Sequence, residues 1–454
     1  MAVWSEVSIN KLSPTSRLDP EYYQPRFLEN IDFLTNRCIY KVTTLGEMIT
    51  SISGGATPLG AEYPDEGIPF LRVQNIMPGY LNLNDVVYIF EETHNDELER
   101  SKLSPDDVVF TITGSYGNAA YVPPTLGEAN INQHSVRMAF KPDVLPEYVT
   151  AFLNCRFGRL QSDMKITGIT RPALDYGEIR TFLLPILPMP LQEEVRNILH
   201  KSERTRQHSQ DIYTEAEHLL LHELGLDTLD LSHELTYERN FSEVAVAERF
   251  DAQYFAPRYQ RAMKIMARSG QTLGSVAPLA KRFFRSVADE PFNYIEIGNL
   301  VGSGHAESEV VMGIDAPSRA QWVVEAGDVI TSTVRPIRRL TALIEPEQHG
   351  FVCSSGFAVL EPRDIAPELL TVYLRLPIVS EVLDLHTTAT MYPAIATDVL
   401  LNIPISQPSK SATTEIVNKV QQSRQAREQA KQLLEEAKRR VEQMILGEGA
   451  SHVA

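Results

Sequence analysis

Five loops in the first part of the chain are rich in side chains that can read nucleic-acid bases. Glycine lets the backbone approach a phosphate closely, while Gln, Asn and Arg offer paired hydrogen bonds to base edges. The loops are residues 53–58 (SGGATP), 72–75 (RVQN), 113–118 (TGSYGN), 130–135 (NINQHS) and 167–172 (TGITRP). Gly, Ser and Asn also form ordinary turns, so a single loop supports a turn and a binding role equally.

The second part of the chain carries basic loops at the corresponding places. Residues 281–285 (KRFFR) replace the first glycine-rich loop, and residues 334–339 (VRPIRR) replace the third. The chain as a whole is acidic, with a formal net charge of −17. Arginines concentrated in these loops therefore indicate contacts with DNA phosphates and guanine edges, with solvated basic turns as the alternative.

We predict DNA contacts in both parts of the chain. Those in the first part are Thr57, Arg72, Gln74, Asn75, Ser115, Tyr116, Asn118, Gln133, His134 and Arg171. Those in the second part are Lys281, Arg282, Arg285, Arg335, Arg338, Arg339 and Tyr392.

Signatures of catalysis are missing from the sequence. It contains no phosphate-binding loop, no nucleophile elbow, no dinucleotide fingerprint and no amino-methyltransferase tetrapeptide. His218 and His222 have a spacing that can bind zinc, but with no third ligand in view a solvated helix face is the better interpretation. We predict a chain that binds rather than catalyses, with no metal site.

The two sets of loops lie in two copies of one unit. RLDPEYYQPRF, from Arg17, returns as RFDAQYFAPRY, from Arg249, 232 residues further on. Later pairs follow in the same order, and at the Pro172-Ala173 and Pro393-Ala394 pairs the offset is 221. A period this long predicts two domains with separate cores. Their short β-branched runs and helical stretches predict a mixed α/β fold.

Each copy ends in a stretch with the heptad spacing of a coiled coil. The central seam runs through Val195, Ile198, Ser202, Thr205, Ser209, Ile212, Ala216 and Leu219. The distal seam runs through Ile416, Val420, Ser423, Arg427, Ala430, Leu434, Ala437, Val441 and Met444. Residues 191–223 carry four basic and seven acidic residues, whereas residues 411–446 carry seven basic and five acidic. Opposite charge predicts that the two helices pair with each other, with plain bundle helices as the alternative.

Composition limits the class of protein further. The chain has 454 residues, is 43% hydrophobic and holds three isolated cysteines, which give neither a disulfide framework nor a metal spacing. The apolar stretch from Thr181 is about half a membrane span and is interrupted by three prolines. With no signal-peptide pattern at the start, we expect a soluble cytoplasmic protein without a membrane partner.

Several segments together carry a family resemblance. They are GIPFLRVQNI from Gly67, DVVFTITGSYGNAA from Asp107, INQHSVR from Ile131, TGITRPAL from Thr167 and LPILPMPLQEEV from Leu184, followed by a long helix. In these segments the chain resembles the specificity subunit of Type I restriction-modification systems. The second copy departs from the pattern, since FNYIEIGNL stands where IPFLRVQNI would be. That departure fits either a domain that reads another half-site or a decayed domain.

The resemblance implies a role and a set of partners. Each target recognition domain would read one half of a bipartite site in double-stranded DNA, and two antiparallel coiled-coil helices would separate the domains. Modification subunits would methylate adenine, and a restriction subunit would translocate and cleave DNA. S-adenosylmethionine, ATP and Mg²⁺ would belong to those partners, so this chain would be non-catalytic and without a cofactor. The competing interpretation is a protein–protein scaffold that does not read DNA.

The expected boundaries follow from the repeat and the heptads. The first target recognition domain is expected at residues 1–189 and the central spacer helix with its linker at residues 190–232. The second target recognition domain is expected at residues 233–409 and the distal spacer helix at residues 410–448.

Overall fold

The computed structural model describes Glu6 and residues 17–58, 60, 62–168, 172–388 and 391–448. Its contacts divide the chain into two compact units, Met1–Arg206 with Glu428–Ala454, and Gln207–Arg427. Both contain helices and sheets, which confirms the predicted mixed α/β fold. The units divide each long helix near its middle, whereas the sequence places the boundaries at the helix ends; those boundaries stay a prediction.

The first unit contains strands β1 (Val42–Thr44), β2 (Ile49–Gly54), β3 (Ile68–Leu71), β4 (Ile76–Met77), β5 (Tyr80–Leu81), β6 (Val87–Ile89), β7 (Val108–Thr111), β8 (Ala119–Tyr121), β9 (Asn130–Ile131), β10 (Ser135–Phe140) and β11 (Leu183–Pro185). Its helices are α1 (Pro25–Asp32), α2 (Leu45–Met48), α3 (Glu91–Asn95), α4 (Pro146–Asn154), α5 (Arg156–Lys165), α6 (Tyr176–Arg180) and the start of α7 (Met189–Leu224).

The second unit contains β12 (Gln271–Thr272), β13 (Pro291–Ile295), β14 (Leu300–Val301), β15 (His305–Ala306), β16 (Glu309–Met312), β17 (Ala320–Val323), β18 (Val329–Ser332), β19 (Thr341–Leu343), β20 (Val352–Ser354), β21 (Phe357–Leu360), β22 (Thr387–Thr388), β23 (Ala394–Ile395) and β24 (Pro404–Ile405). Its helices are the second half of α7, α8 (Phe241–Ala247), α9 (Pro257–Met266), α10 (Leu273–Val276), α11 (Pro367–Arg375), α12 (Pro377–Asp384), α13 (Thr397–Leu401) and the first half of α14 (Lys410–Ile445).

A four-stranded antiparallel sheet, in the order β2-β10-β7-β8, forms the centre of the first unit. All four residues of β7 are buried, as expected for an apolar and β-branched run covered on both faces. A smaller sheet, in the order β6-β3-β9, pairs β3 with β9 in parallel. Helix α4 packs in the core beside these strands and begins at Pro146, where a missing backbone N–H costs no helical hydrogen bond.

The second unit repeats this topology. Strands β19-β18-β21 form the antiparallel sheet, and β16-β13-β20-β17 form the other, in which β13 and β20 are again parallel. All four residues of β18 are buried, and α11 begins at Pro367. For the strands that both units share, the repeat found in the sequence is therefore a repeat of strand order and pairing direction as well. The three-stranded sheet of the second unit has no counterpart of β2, and β17 is an additional strand in its other sheet.

The two long helices run antiparallel in each unit, as predicted. In the first unit Glu194 pairs with Arg440 at 2.6 Å, and in the second Glu215 pairs with Lys419 at 2.7 Å. Both bridges set a carboxylate of α7 against a cation of α14, in agreement with the predicted charge asymmetry. Such exposed pairs contribute about 0–1 kcal/mol each, so they favour the pairing more than they stabilise it.

Small polar residues in the seam let the helices approach closely. Ser209 Oγ donates to the Ser423 carbonyl and Ser423 Oγ to the Ser209 carbonyl, both at 2.7 Å. Ser202 Oγ donates to the Ala430 carbonyl at 2.7 Å. These hydroxyls are satisfied without water, which explains why the middle of the predicted seam is not apolar.

The helices also complete the cores of their units. As a result, some buried positions of α7 lie next to the predicted seam positions rather than at them. Leu199 and Leu220 are buried, whereas the predicted Ile198 and Leu219 are only partly so. A two-helix seam repeats every 3.5 residues, but α7 also packs on its own unit and therefore needs a broader apolar stripe. The distal seam follows the prediction more closely, with Ile416, Ala437 and most of its other members buried.

Glu345, in the turn after β19, connects the second unit to α14. Its carboxylate contacts the Arg427 guanidinium and lies 3.6 Å from His305 Nδ1. Burial alone would raise the pKa of Glu345, but the neighbouring His305, Arg427 and Arg424 outweigh it and lower the pKa from 4.5 to about 2.

Among the described residues, no helix is both long and apolar enough to cross a membrane.

Exchanging a seam serine for valine should weaken the helix pair. Ser423→Val removes the hydrogen bond from Ser423 Oγ to the Ser209 carbonyl and forces two methyl groups between closely packed backbones. We expect a loss of about 1–3 kcal/mol in the free energy of unfolding, measured by urea titration. The matched control is Ser411→Val at an exposed serine of the same helix. Equal losses in the two variants would show that the seam hydroxyl is dispensable.

The ion pair of Glu345 should make stability depend on pH. Because its folded pKa is depressed, its contribution is present above pH 4.5 and is lost as pH falls toward about 2. Glu345→Gln should therefore be less stable at neutral pH, and its difference from the wild type should shrink across that range. Thermal melts at several pH values measure this, with the exposed Glu347→Gln as control. A difference that does not change with pH would contradict the assignment.

Candidate nucleic-acid interface

Four of the five predicted loops in the first unit meet beyond the ends of β7 and β10. The Ile112 amide donates to the His134 carbonyl at 2.9 Å, and the Gly55 amide donates to the Ser135 carbonyl at 3.1 Å. Thr113 forms an isolated bridge with Ala173. Backbone contacts thus hold loops 53–58, 113–118 and 130–135 beside one another and beside Thr167 and Ala173, the described residues at the two ends of the last loop, although each comes from a different part of the sequence.

A chain of neutral polar side chains connects these loops. Thr57 Oγ1 donates to Gln133 Oε1, Gln133 Nε2 lies 3.2 Å from His134 Nε2, and His134 Nδ1 lies 2.5 Å from Thr113 Oγ1. Since the Gln133 amide nitrogen can only donate, His134 accepts at Nε2 and carries its proton on Nδ1. Thr57 and Gln133 are exposed, and Gln133 keeps one N–H and one acceptor lone pair for a ligand. An amide presented in this way can form the paired bonds that identify adenine.

Asn75 belongs to the scaffold. Its side chain is 1% exposed; Oδ1 accepts from the Arg72 amide at 3.0 Å and Nδ2 donates to the Asn82 carbonyl at 2.9 Å. Asn299 makes the same contact in the second unit, where its Oδ1 accepts from the Glu296 amide at 2.7 Å. A contact kept in both units while the loops differ indicates a turn-forming role, so the geometry argues against Asn75 as a base reader.

Tyr116 and Asn118 are also engaged within the fold. The Tyr116 hydroxyl donates to Asp163 Oδ1 at 3.3 Å, and burial raises the pKa of Tyr116. Arg159 donates to the Tyr116 carbonyl at 2.8 Å and lies 3.4 Å from Asn118 Oδ1. Arg72 is partly buried and donates to the Asp85 carbonyl at 3.0 Å. Gln74 and Ser115 are exposed, and Arg171 lies outside the described residues.

In the second unit, Arg335 and Tyr392 come together although 57 positions separate them in the sequence. The Arg335 guanidinium lies 5.4 Å from the centre of the Tyr392 ring, and its Nη2 donates to the Met391 carbonyl at 3.2 Å. The Arg335 amide donates to the Pro393 carbonyl at 2.8 Å. Tyr392 is 67% exposed, so the pair presents a cation and an aromatic face to solvent.

Two of the predicted arginines serve as internal counter-ions. Arg339 pairs with Glu217 at 2.7 Å, and its backbone carbonyl accepts from Arg375 at 2.8 Å. Arg282 pairs with Asp328, whose pKa is raised by burial. These guanidiniums are occupied inside the unit, and the geometry argues against DNA contacts through them.

The buried aspartate beside Arg282 has an equivalent in the first unit. There Asp107, whose pKa burial also raises, pairs with Arg137 at 2.8 Å. The aspartate keeps its place in the repeat, while the arginine comes from a strand in one unit and from a loop in the other. A basic residue in a variable loop therefore does not by itself indicate a DNA contact.

Lys281, Arg285 and Arg338 are exposed at the surface of the second unit. Within the described parts of the chain, Lys281 and Arg285 form neither a hydrogen bond nor an ion pair. Phe283 lies between them in the sequence, is 65% exposed, and packs against Trp322 with ring centres 4.8 Å apart. This loop presents cations beside an aromatic face, as protein surfaces that bind nucleic acids do.

Comparing the same loop in both units singles out Arg335. Gly114 and Gly117 have φ of +68° and +78°, and in the corresponding loop of the second unit Arg335 and Arg339 have φ of +50° and +58°. Left-handed backbone costs a residue with a side chain about 1–2 kcal/mol, which glycine avoids. Arg339 offsets this strain with its ion pair to Glu217. Arg335 makes no comparable internal ion pair among the described residues, which is the pattern of strain kept for binding.

Sequence reasoning missed two residues that the structure places in the interface. Thr113 closes the polar chain of the first unit, and Met391, 75% exposed, lies next to Tyr392. No sequence pattern distinguishes a loop threonine or methionine of this kind, because its role depends on which loop packs beside it.

In the described part of the chain, no group of three or more His, Cys, Asp or Glu side chains is arranged to hold a metal ion.

No protein-family model and no curated protein matches the chain. Among solved structures, the S subunit of a Type-I restriction-modification system from M. genitalium is similar, with a TM-score of 0.36 and 11% identity over 91% of this chain and 96% of that one. The HsdS subunit from Thermoanaerobacter tengcongensis has a TM-score of 0.32 and 18% identity over 90% and 97%.

A third similar chain belongs to a structure that describes complex assembly and conformational transition of the type I R-M system. Its TM-score is 0.32 and its identity 17%, over 90% of this chain and 98% of that one.

Replacing Arg335 by glycine should separate strain from binding. Arg335→Gly and Arg335→Ala lose the same side-chain contacts, but only alanine keeps the left-handed penalty. We expect the glycine variant to be the more stable by about 1 kcal/mol in urea titrations. Arg338, outside the left-handed region, is the matched control and should show the reverse order. An alanine variant as stable as the glycine variant at position 335 would show that the site is unstrained.

Proposed function

We propose that this chain is a non-catalytic, sequence-specific DNA-recognition subunit in which each unit reads one half of a bipartite target. The observation that carries this proposal is one scaffold with two recognition chemistries. At equivalent loops, the first unit holds the neutral Thr57–Gln133–His134–Thr113 chain, and the second holds Arg335 against Tyr392. An exposed arginine in left-handed backbone, where the first unit has Gly114, favours a binding role for this loop over a purely structural one.

More particularly, we propose that it is the specificity subunit of a Type I restriction-modification system. The motifs of the sequence support this, together with the antiparallel pairing of α7 with α14. Modification subunits would then methylate adenine at the site this chain selects, and a restriction subunit would translocate and cleave the DNA. S-adenosylmethionine, ATP and Mg²⁺ would be bound by those partners, and the complex would act in the cytoplasm.

The charge of the chain is compatible with this role. A net charge of −17 opposes DNA binding at long range, but salt screens charges beyond about 10 Å, so the local field decides. Lys281, Arg285, Arg335 and Arg338 give the second unit such a field. The first unit presents few cations at its loops, so we expect partner subunits to supply much of its phosphate contact.

The test is the methylation pattern of variants in the assembled complex. Gln133→Ala should relax preference at a single position of one half-site, and Arg335→Ala should alter only the other half. Losing one paired base contact costs about 1–3 kcal/mol, roughly a 5- to 150-fold change in affinity for the correct base. Sequencing of methylated adenines in a host carrying the complex, together with binding to single-base variants of the target, gives both readouts.

Matched controls keep this test interpretable. Gln422→Ala removes an exposed glutamine from α14 and should leave base preference unchanged. If both test variants methylate the wild-type sequence with wild-type preference, the chain does not read DNA through these loops and the scaffold interpretation gains support. Methylation by the isolated chain would show that it is an enzyme after all.

A further inference from the structure

At the tip of the β22–β23 hairpin, two exposed apolar side chains lie next to a cation. Met391 and Tyr392 are 75% and 67% exposed, whereas Leu385 before the hairpin and Ile395 within it are buried. Adjacent exposed apolar side chains bordered by a charged or polar surface are typical of interaction sites. Because they lie beside Arg335 in the candidate interface, an anionic ligand with apolar surfaces fits them better than another protein's apolar face.

Several contacts hold this tip in place. Thr387 pairs with Ile395 across the hairpin, the Ile395 amide donates to the Thr333 carbonyl at 2.9 Å, and Arg335 bonds to the backbone at Met391 and Pro393. Pro393 also restricts the backbone of Tyr392 to extended conformations. A tip fixed at its base can push against a ligand without losing much conformational entropy.

The first unit has no such feature in its sequence. Pro172-Ala173 matches Pro393-Ala394, so Met391 and Tyr392 take the places of Thr170 and Arg171. The left-handed position opposite also differs, with Gly114 in place of Arg335. The second unit therefore combines two apolar residues at the tip with an arginine opposite them, and the first unit has neither the apolar pair nor an arginine at the opposite position.

Building on the proposed function, we propose that Met391 and Tyr392 form a wedge that enters a base step in the half-site read by the second unit. Arg335 fixes the tyrosine ring and supplies positive charge next to the backbone. Apolar side chains used in this way unstack a step and kink the duplex. The second unit then selects sequence partly through deformability, favouring a flexible pyrimidine–purine step at that position. The first unit reads base edges with its polar chain and leaves its half-site stacked.

Methionine oxidation tests whether the tip is buried by DNA. The chain, assembled with its modification subunits, is exposed to dilute hydrogen peroxide with and without target duplex, and sulfoxide is quantified by mass spectrometry. We expect several-fold protection of Met391 by target DNA. Met312, an exposed methionine on β16 that is 41% accessible, serves as the internal control and should oxidise equally in both samples.

Base unstacking is measured with 2-aminopurine placed, one position at a time, at sites of the second half-site other than the methylated adenine. Binding of the complex should raise fluorescence several-fold at one step, and the rise should disappear in Met391→Ala and Tyr392→Ala. The rise should persist in Met312→Ala. Both wedge residues are exposed, so thermal melts of all three variants should match the wild type.

The outcomes separate this proposal from the proposed function. A complex that binds its target and methylates it, but shows neither protection of Met391 nor a fluorescence rise, reads DNA without a wedge. Protection without unstacking would place the tip against a groove wall, and this too overturns the wedge. A complex without sequence-specific binding overturns both proposals.

Discussion

The antiparallel pairing of α7 with α14 is the contact on which the rest of this protein depends. The core of the first unit includes Val195 and Leu199 from one helix and Ala437 and Val441 from the other. The core of the second includes Ala216 and Leu220 with Ile416 and Val420. Each core is therefore completed only when the end of the chain returns beside its middle. The scaffold that supports the candidate loops therefore depends on contacts far away in sequence.

Close approach of the helices sets the chemistry of their seam. Serines at positions 202, 209 and 423 are small enough for backbones to meet, and their hydroxyls bond to carbonyls of the opposite helix. A fully apolar seam would bury more hydrophobic surface, but it would also hold the helices further apart. The polar middle specifies register, since each hydroxyl must face one particular carbonyl.

The two units share residues that hold the scaffold together and differ in the loops between them. Asn75 and Asn299 form the same turn, and Asp107 and Asp328 are buried at the same place beside an arginine. Between these fixed points, a polar chain of side chains in one unit is replaced by a cation and an aromatic ring in the other. The scaffold tolerates this exchange because the loops lie beyond the strand ends and contribute little to either core.

The sequence alone determined what depends on local order. The repeat, the mixed α/β composition and the pairing of the two long helices follow from internal similarity, hydrophobic spacing and charge, all of which can be read along the sequence. The antiparallel direction of that pair was implied by the family resemblance. Gln133, His134 and Arg335 could be named as candidates because their residue types suit base recognition. The local sequence could not tell Arg335 from Arg339, which stand four positions apart in one loop.

Only the tertiary structure decided which of these side chains remains available for a ligand. Arg339 forms an ion pair with Glu217, 122 positions away, and Arg282 forms one with Asp328, 46 positions away. The chain from Thr57 to Thr113 likewise requires three loops to pack side by side. A buried carboxylate takes whichever cation the fold brings within reach, because leaving it unpaired costs several kcal/mol. The choice among arginines is thus made by long-range contacts, which residue type and spacing do not encode.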